Sequence, residues 1–274
     1  MIQKYSGTGN NFLMLNNLDG KYNSKWNETV RELMQQENYK FFDGVIFVEN
    51  SGIADYKMNY YNKDGTGHAL CGNGLRCTAK YLMDNKIIDK KNIVIEAVDK
   101  LFYCEIKSEN YISVSFPPPK IIKTNFILNV NFTEWWQPLN VSFVEVGSPH
   151  IVVFINDIQK PQINTLDEIN ITEWGRNIRM HRDLIPEGAN VNFVRIIDEK
   201  KSLLEIRSYE RGVEGETLSC GTGIISSAII ANITRKIEIP VEFITRSKDV
   251  LKVNFTIEEN LIKNLKLEGA VNKI

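Results

Sequence analysis

Apolar and polar positions alternate, with β-branched residues enriched, at 11–16, 44–49, 55–61, 92–98, 101–107 and 111–116, which predicts strands. Between the first two lies a polar, amphipathic stretch, 27–36, read as a helix. A second helix is predicted from Gly72, with Leu75, Ala79, Leu82 and Met83 recurring three or four residues apart. Pro117, Pro118 and Pro119 cannot sit inside a helix or a central strand and read as a domain linker. Beyond them, strands are predicted at 141–147, 151–155, 191–197 and 202–209, with a helix over 166–178. Another helix is expected after Gly223, followed by two or three strands between 240 and 270. Its segment 224–232 is apolar nearly all round and predicts central burial, with Arg235 and Lys236 at the C-terminal turn where cations suit the helix dipole.

The two halves follow one plan: strands, a Cys-Gly-x-Gly turn, a helix, more strands. ALCGNGLRCTAKYL and TLSCGTGIISSAII align on that turn, which suggests an internal duplication with two similar domains facing each other across a cleft. The length of 274 residues suits two domains, divided at 117/118 by the prolines. Lys plus Arg is 33 and Asp plus Glu is 34, so no one-signed field argues for nucleic acid. The N-terminus MIQKYSGTGNNF lacks an apolar signal region, and no run of about 18 apolar residues predicts a membrane span. The expectation is a cytoplasmic protein whose cysteines form no structural disulfides. No C-x2-C pair occurs and the histidines are scattered, so no metal site is expected.

Cysteine chemistry centres on Cys71-Gly72-Asn73-Gly74 and Cys220-Gly221-Thr222-Gly223. Glycines allow a sharp turn and a close approach, and the helix that follows offers unpaired N–H groups and a positive dipole end, a setting for a carboxylate or phosphate. A cysteine there is expected to have its thiolate stabilised and its pKa below about 8.5. Two such thiols suit inversion of a stereocentre beside a carboxylate, one removing a proton from one face and the other supplying one on the opposite face. Cys77, inside the first helix, and Cys104, in LFYCEIK, read instead as small core residues. A thiol hydrolase or transferase with one nucleophile, and a non-catalytic binder of small carboxylates, remain open on the residues alone. A phosphatase loop fits poorly, because Arg76 follows Cys71 after only four residues and Cys220 has no arginine after its turn.

SYERGVEGET leads directly to Cys220, and its Glu210-Arg211 offers an acceptor for an ammonium and a fork for a carboxylate. His150, in Gly147-Ser148-Pro149-His150, is a candidate to polarise a substrate group or to help a thiol ionise. His68 is ambiguous between a site and a structural role. Asn10, Asn62 and Asn190 are placed at strand ends, where amides bind carboxylate and ammonium together. No dinucleotide or Walker fingerprint occurs, and no lysine context suggests pyridoxal phosphate, so no cofactor is expected.

In these motifs the sequence resembles diaminopimelate epimerases, over 7–12, 61–82, 147–154, 190–194 and 207–223, in the family's order. NKDGTGHALCGNGLRC and YERGVEGETLSCGTG are the longest and most specific stretches. The resemblance implies an α/β (α+β) fold of two pseudo-symmetric domains, each a curved, mostly antiparallel sheet around a central helix. It also implies that the last strand, about 263–274, completes the domain of 1–117, leaving 118–262 as the other. The implied activity is cofactor-independent interconversion of LL- and meso-2,6-diaminopimelate, in lysine and peptidoglycan precursor synthesis, by a homodimer. Cys71 and Cys220 match the acid/base pair, and His150 and Glu210 the supporting catalytic residues. Gly72, Asn73, Gly221 and Thr222 match helix-terminal groups at the reacting carboxylate. Asn10, Asn62, Asn190 and Arg211 match substrate contacts, Arg211 at the distal carboxylate. Four positions depart from the family pattern: Asn11 for Asp, Gly44 where a Gln contact is usual, Ser148 for a substrate-binding Asn, and Ala189 for Thr. All fall on substrate recognition, so a racemase for another amino acid, such as histidine or proline, is the nearest alternative.

Overall fold

The structure is a computed structural model that describes residues 2–67, 70–132, 136–158 and 161–274; His68 lies outside them. Its chain divides into two compact units, Met1–Phe116 with Lys266–Ile274, and Pro117–Leu265.

The first unit contains β1 (Gln3–Gly7), β2 (Asn10–Asn16), α1 (Trp26–Met34), β3 (Gly44–Glu49), β4 (Tyr56–Asn62), α2 (Gly72–Asp84), β5 (Asn92–Ala97), β6 (Lys100–Ser108) and β7 (Tyr111–Ser115). The second contains β8 (Ile121–Asn131), β9 (Trp136–Val146), β10 (Ser148–Phe154), α3 (Ile171–Arg179), β11 (Asn190–Asp198), β12 (Leu203–Glu210), β13 (Gly215–Thr217), α4 (Gly221–Arg235), β14 (Val241–Ile244) and β15 (Val250–Glu258). The chain ends with β16 (Leu261–Ala270), whose last residues pair with β7, and β17 (Asn272–Lys273), which pairs with β1.

The ladders repeat. In the first unit β1–β2 is antiparallel, β2–β3 parallel, β3–β4 antiparallel, β4–β5 parallel and β5–β6 antiparallel. In the second, β9–β10, β10–β11, β11–β12, β12–β14 and β14–β15 follow the same order. Each parallel pair is joined through a helix, as a parallel crossover requires. Side-chain alternation repeats too. Leu13, Leu15, Val45 and Phe47 pack under Val30 and Leu33 of α1, and Ile151, Val153, Val191 and Phe193 pack under Trp174 and Ile178 of α3. The alternate residues of these strands point to the other face, toward α2 in one unit and α4 in the other. Both central helices carry a hydroxyl that bonds back one turn, Thr78 to the Gly74 carbonyl (2.9 Å) and Ser227 to that of Gly223 (2.8 Å). The fold is therefore duplicated in register and packing as well as in the short motif.

Three expectations are corrected. The helix over 166–178 is a 3-10 turn, Leu166–Glu168, followed by α3. Thr165 and Glu168 close a capping box on the turn, and Asn170 Oδ1 accepts from the Glu173 N–H (3.3 Å), so two start signals break one periodic stretch. The fourth helix begins at Gly221, not after Gly223, so the glycines of both motifs lie in the first helical turn. Neither Gly74 nor Gly223 has a positive φ, so space, not a sharp turn, accounts for them. A Cβ on Gly223 would lie 2.2 Å from Asn192 Oδ1, and one on Gly74 3.0 Å from Ile46 Cδ1. Strands β1 and β8 were not predicted. The α4 segment from Gly223 to Ala231 is buried throughout, as its composition predicts, and no helix among the described residues is long and apolar enough to cross a membrane.

Candidate active site

In the first unit, β1 and β2 are joined by Thr8 and Gly9, both at positive φ, the geometry of a two-residue hairpin turn. That turn lies against the start of α2. Cys71 is the N-cap, and its Sγ accepts from the Gly74 N–H at 3.3 Å. The Asn73 side chain points inward, donating to Asn10 Oδ1 (2.6 Å) and accepting from the buried Arg76 (2.8 Å), which also reaches Thr8 Oγ1 (2.7 Å). The Asn73 amide is thus engaged within the unit, while its backbone lies in the first helical turn. Asn62 ends β4, accepting from Tyr60 OH (2.8 Å) and donating to Thr66 Oγ1 (3.0 Å). Cys77 and Cys104 are buried, and desolvation raises both thiols far above their ordinary range, as suits core residues.

In the second unit, three strand ends and the start of α4 converge. His150 pairs with Asn190 across the parallel β10–β11 ladder, and Glu210 ends β12 one step beyond the Val191–Tyr209 pair. His150 Nε2 is 2.9 Å from both Ser148 Oγ and Thr222 Oγ1. Thr222 Oγ1 in turn lies 3.8 Å from Cys220 Sγ. Asn190 Nδ2 donates to Ser148 Oγ and the Pro149 carbonyl (3.2 Å each), while its Oδ1 accepts from the Arg211 N–H (2.8 Å). Asn190 therefore braces the backbone that carries Arg211. The exposed Arg211 guanidinium donates to the Glu187 carbonyl (3.2 Å). Ser148 is drawn into this inner network, consistent with the short reach of a hydroxyl.

Three glutamates occupy the motif before Cys220, and only one turns to the thiol. Glu216 forms a two-pronged pair with Arg207 (2.6 and 2.7 Å), and Glu214 pairs with Arg179 (2.7 Å). Glu210 accepts from Thr217 Oγ1 and hydrogen-bonds Cys220. Burial raises the Glu210 carboxyl above its ordinary value, more than the Thr217 and Cys220 hydrogen bonds lower it. Here the expectation of an acidic thiol fails. Cys220 is only 6% exposed, and desolvation, followed by the Glu210 charge, raises its pKa well above 9.0. The hydrogen bonds from the Gly223 backbone and Thr222 pull the other way and are outweighed. The thiol is held protonated beside the Glu210 carboxyl, and when that carboxyl is ionised, proton transfer to it can release the thiolate.

His150 is fully buried and its pKa is pushed down to about 3, by desolvation first and by the Arg211 charge second. The folded state favours the neutral ring, so this stabilisation is complete above the ordinary 6.5 and is lost as pH falls through the window toward about 3. Denaturation midpoints of the wild type should fall more steeply across that window than those of His150→Gln. Gly223→Ala should displace Asn192 and cost about 1–3 kcal/mol, the usual range for overpacking, with a matching loss of turnover. A variant as stable and active as wild type would show that the close approach is not tight.

A family model described as "Diaminopimelate epimerase" matches residues 2–121 and 142–264. The chain belongs to the diaminopimelate epimerase family. It is 33% identical to the diaminopimelate epimerase of Hydrogenobaculum sp., over all of this chain and 96% of that one. With that of Chlorobaculum tepidum it shares 32% identity over 98% and 97%. Among solved structures, a Bacillus anthracis phenazine biosynthesis protein of the PhzF family superposes with a TM-score of 0.73 at 14% identity, covering 100% and 96% of the two chains. A hydroxyproline epimerase from Agrobacterium vitis gives 0.67 at 13%, covering 100% and 88%. At these identities the structures share the fold alone. As a family member the chain is an isomerase, and the pseudo-symmetric sheet domains are those of its fold. Sequence reasoning on this isomerase missed Asn192 and Thr217, though both stand within the family-like stretches.

Proposed function

We propose that the protein interconverts LL- and meso-2,6-diaminopimelate by proton transfer between Cys71, Cys220 and the α carbon. The observation that carries this reading is the duplicated helix start, each with a cysteine at its N-cap. In one direction Cys220 gives its proton to Glu210, and the thiolate takes the α-proton from one face. The Cys71 thiol supplies a proton to the opposite face. The reverse direction exchanges the two roles. As the α-proton leaves, negative charge spreads onto the substrate carboxylate, where the first-turn N–H groups of a helix and the Thr222 hydroxyl can accept it as hydrogen-bond donors. Loss of the Glu210 proton to solvent and uptake of a solvent proton by Cys71 restore the starting state, so the scheme calls on no metal and no cofactor. Arg211, exposed and braced through Asn190, suits the distal carboxylate. Asn10 and Asn62 complete the proposed contacts. A cytoplasmic homodimer belongs to the same proposal, and sedimentation would test the oligomer.

Exchange of α-protons in deuterated water, without added cofactor, tests the substrate across a panel of amino acids. Exchange with LL-diaminopimelate and not with proline, hydroxyproline or histidine is the expected result. Exchange confined to one of the others would move the assignment to a racemase for that amino acid, in keeping with Ser148 and Gly44 at the recognition positions.

A further inference from the structure

Asn192 is fully buried in β11, on the face that looks toward α4. Both of its N–H groups and one lone pair of its oxygen are used. Nδ2 donates to the Ile151 carbonyl (3.0 Å) and also faces His150 Nδ1 (3.1 Å), while Oδ1 accepts from Ser208 Oγ (2.9 Å). A carbonyl oxygen can only accept, so the Ile151 carbonyl must meet the amide nitrogen, and the orientation of the Asn192 side chain is fixed. An amide nitrogen can only donate, so His150 Nδ1 must carry its lone pair. A neutral imidazole has one N–H, which is therefore on Nε2.

Nε2 faces two hydroxyls that can accept, Ser148 Oγ and Thr222 Oγ1, both at 2.9 Å. Asn190 Nδ2 approaches the same nitrogen only to 3.5 Å, and its N–H groups already meet Ser148 Oγ and the Pro149 carbonyl. None of these three neighbours requires a lone pair on Nε2.

We propose that Asn192 is a positioning residue that holds His150 as a hydrogen-bond donor through Nε2–H and so removes it from service as a base. Proton abstraction then belongs to the thiols, to Cys220 with Glu210 in one direction and to Cys71 in the other. His150 orients the hydroxyls of Ser148 and Thr222, whose own protons are directed onward to the carboxylate that gathers charge. The inference rests on the epimerase reading for its catalytic consequence, but the tautomer itself does not.

The device is built into one repeat only. Aligning the units by their ladders places Phe12 where His150 stands, Ile46 where Asn192 stands and Tyr60 where Ser208 stands. The first unit thus has an apolar contact at the corresponding point, and Gly74 packs on Ile46 as Gly223 packs on Asn192. The last glycine of the second motif makes room for the amide that sets the histidine.

Nitrogen-15 NMR of the histidine rings in the reduced, full-length protein tests this, with His150 assigned by loss of its signals in His150→Gln. Near neutral pH, His150 should show a protonated Nε2 and an unprotonated Nδ1. A protonated Nδ1, or tautomers averaging between the two, would overturn the proposal without any variant. Asn192→Asp places a carboxylate opposite Nδ1 and should draw the proton there, lowering kcat by roughly 10²-fold or more with KM within about threefold. Should that variant not fold, Asn192→Leu, which removes the donor, should give mixed tautomers and a lowered kcat. A changed tautomer with wild-type kcat would refute the catalytic role. A wrong substrate assignment would instead leave wild type without turnover on diaminopimelate and its ring spectrum unaffected, so the two failures are distinct.

Discussion

Cys220→Ala and Cys71→Ala should each lower epimerase turnover by roughly 10⁴-fold or more, the upper end of what one positioned proton carrier contributes. Alanine holds no proton, and the scheme needs both carriers in each cycle, so neither loss can be made good by the other thiol. Both variants should lose only a little stability. Cys71 Sγ accepts from the Gly74 N–H, and losing that cap should cost about 1 kcal/mol. Cys220 receives the corresponding hydrogen bond from the Gly223 backbone, so its removal should cost the start of α4 a similar small amount. Far-ultraviolet circular dichroism and melting curves would separate lost chemistry from lost fold. A thiol hydrolase or transferase with one nucleophile predicts that one of the two alanine variants keeps full activity, and that outcome would remove the two-carrier scheme.

Glu210→Gln should be nearly as damaging, with kcat lowered by about 10²–10⁴-fold. Glutamine keeps the size of the side chain and an acceptor for Thr217 but cannot take the Cys220 proton. The pH profile carries the sign. Burial raises the carboxyl above its ordinary 4.5, and below that raised value Glu210 is protonated and useless as an acceptor. Activity should therefore rise with pH on an acid limb lying above 4.5, and Glu210→Gln should lack that limb. Stability runs the opposite way. A carboxyl with a raised folded pKa stabilises below its unfolded pKa and loses that contribution as pH rises through the folded one. Above the raised folded pKa the wild type has lost it, so there Glu210→Gln should melt at the same or a higher temperature. A variant both inactive and strongly destabilised would mean that Glu210 is structural.

The strands that carry the site were legible because their apolar and polar residues alternate or run in β-branched stretches, and α4 because nearly every residue is apolar. Strand β8 was not, since its first five residues are exposed on both faces and a register shift between Lys123 and Phe126 interrupts it. β1 is short and polar, with little hydrophobic signal. The cysteine positions could be read from the glycines around them, but the height of the Cys220 pKa could not. It depends on burial and on Glu210, ten residues earlier, and a helix start alone points the other way. Asn192 had a readable signal. In NVNFV it shares the period of Asn190, so a polar residue falls on an inward strand face, and a buried polar side chain there calls for a partner.

The central claim is that two monoprotic carriers work on opposite faces of one carbon, and isotope placement at early conversion tests it most directly. LL-Diaminopimelate is incubated in deuterated water with wild-type enzyme, and product and remaining substrate are analysed before appreciable back reaction. The account predicts solvent deuterium at the α carbon of the meso product and protium in the recovered LL substrate, because the proton taken by one thiol is not the one delivered by the other. Product that retains the original α-proton, or recovered substrate labelled as fast as product, would contradict it.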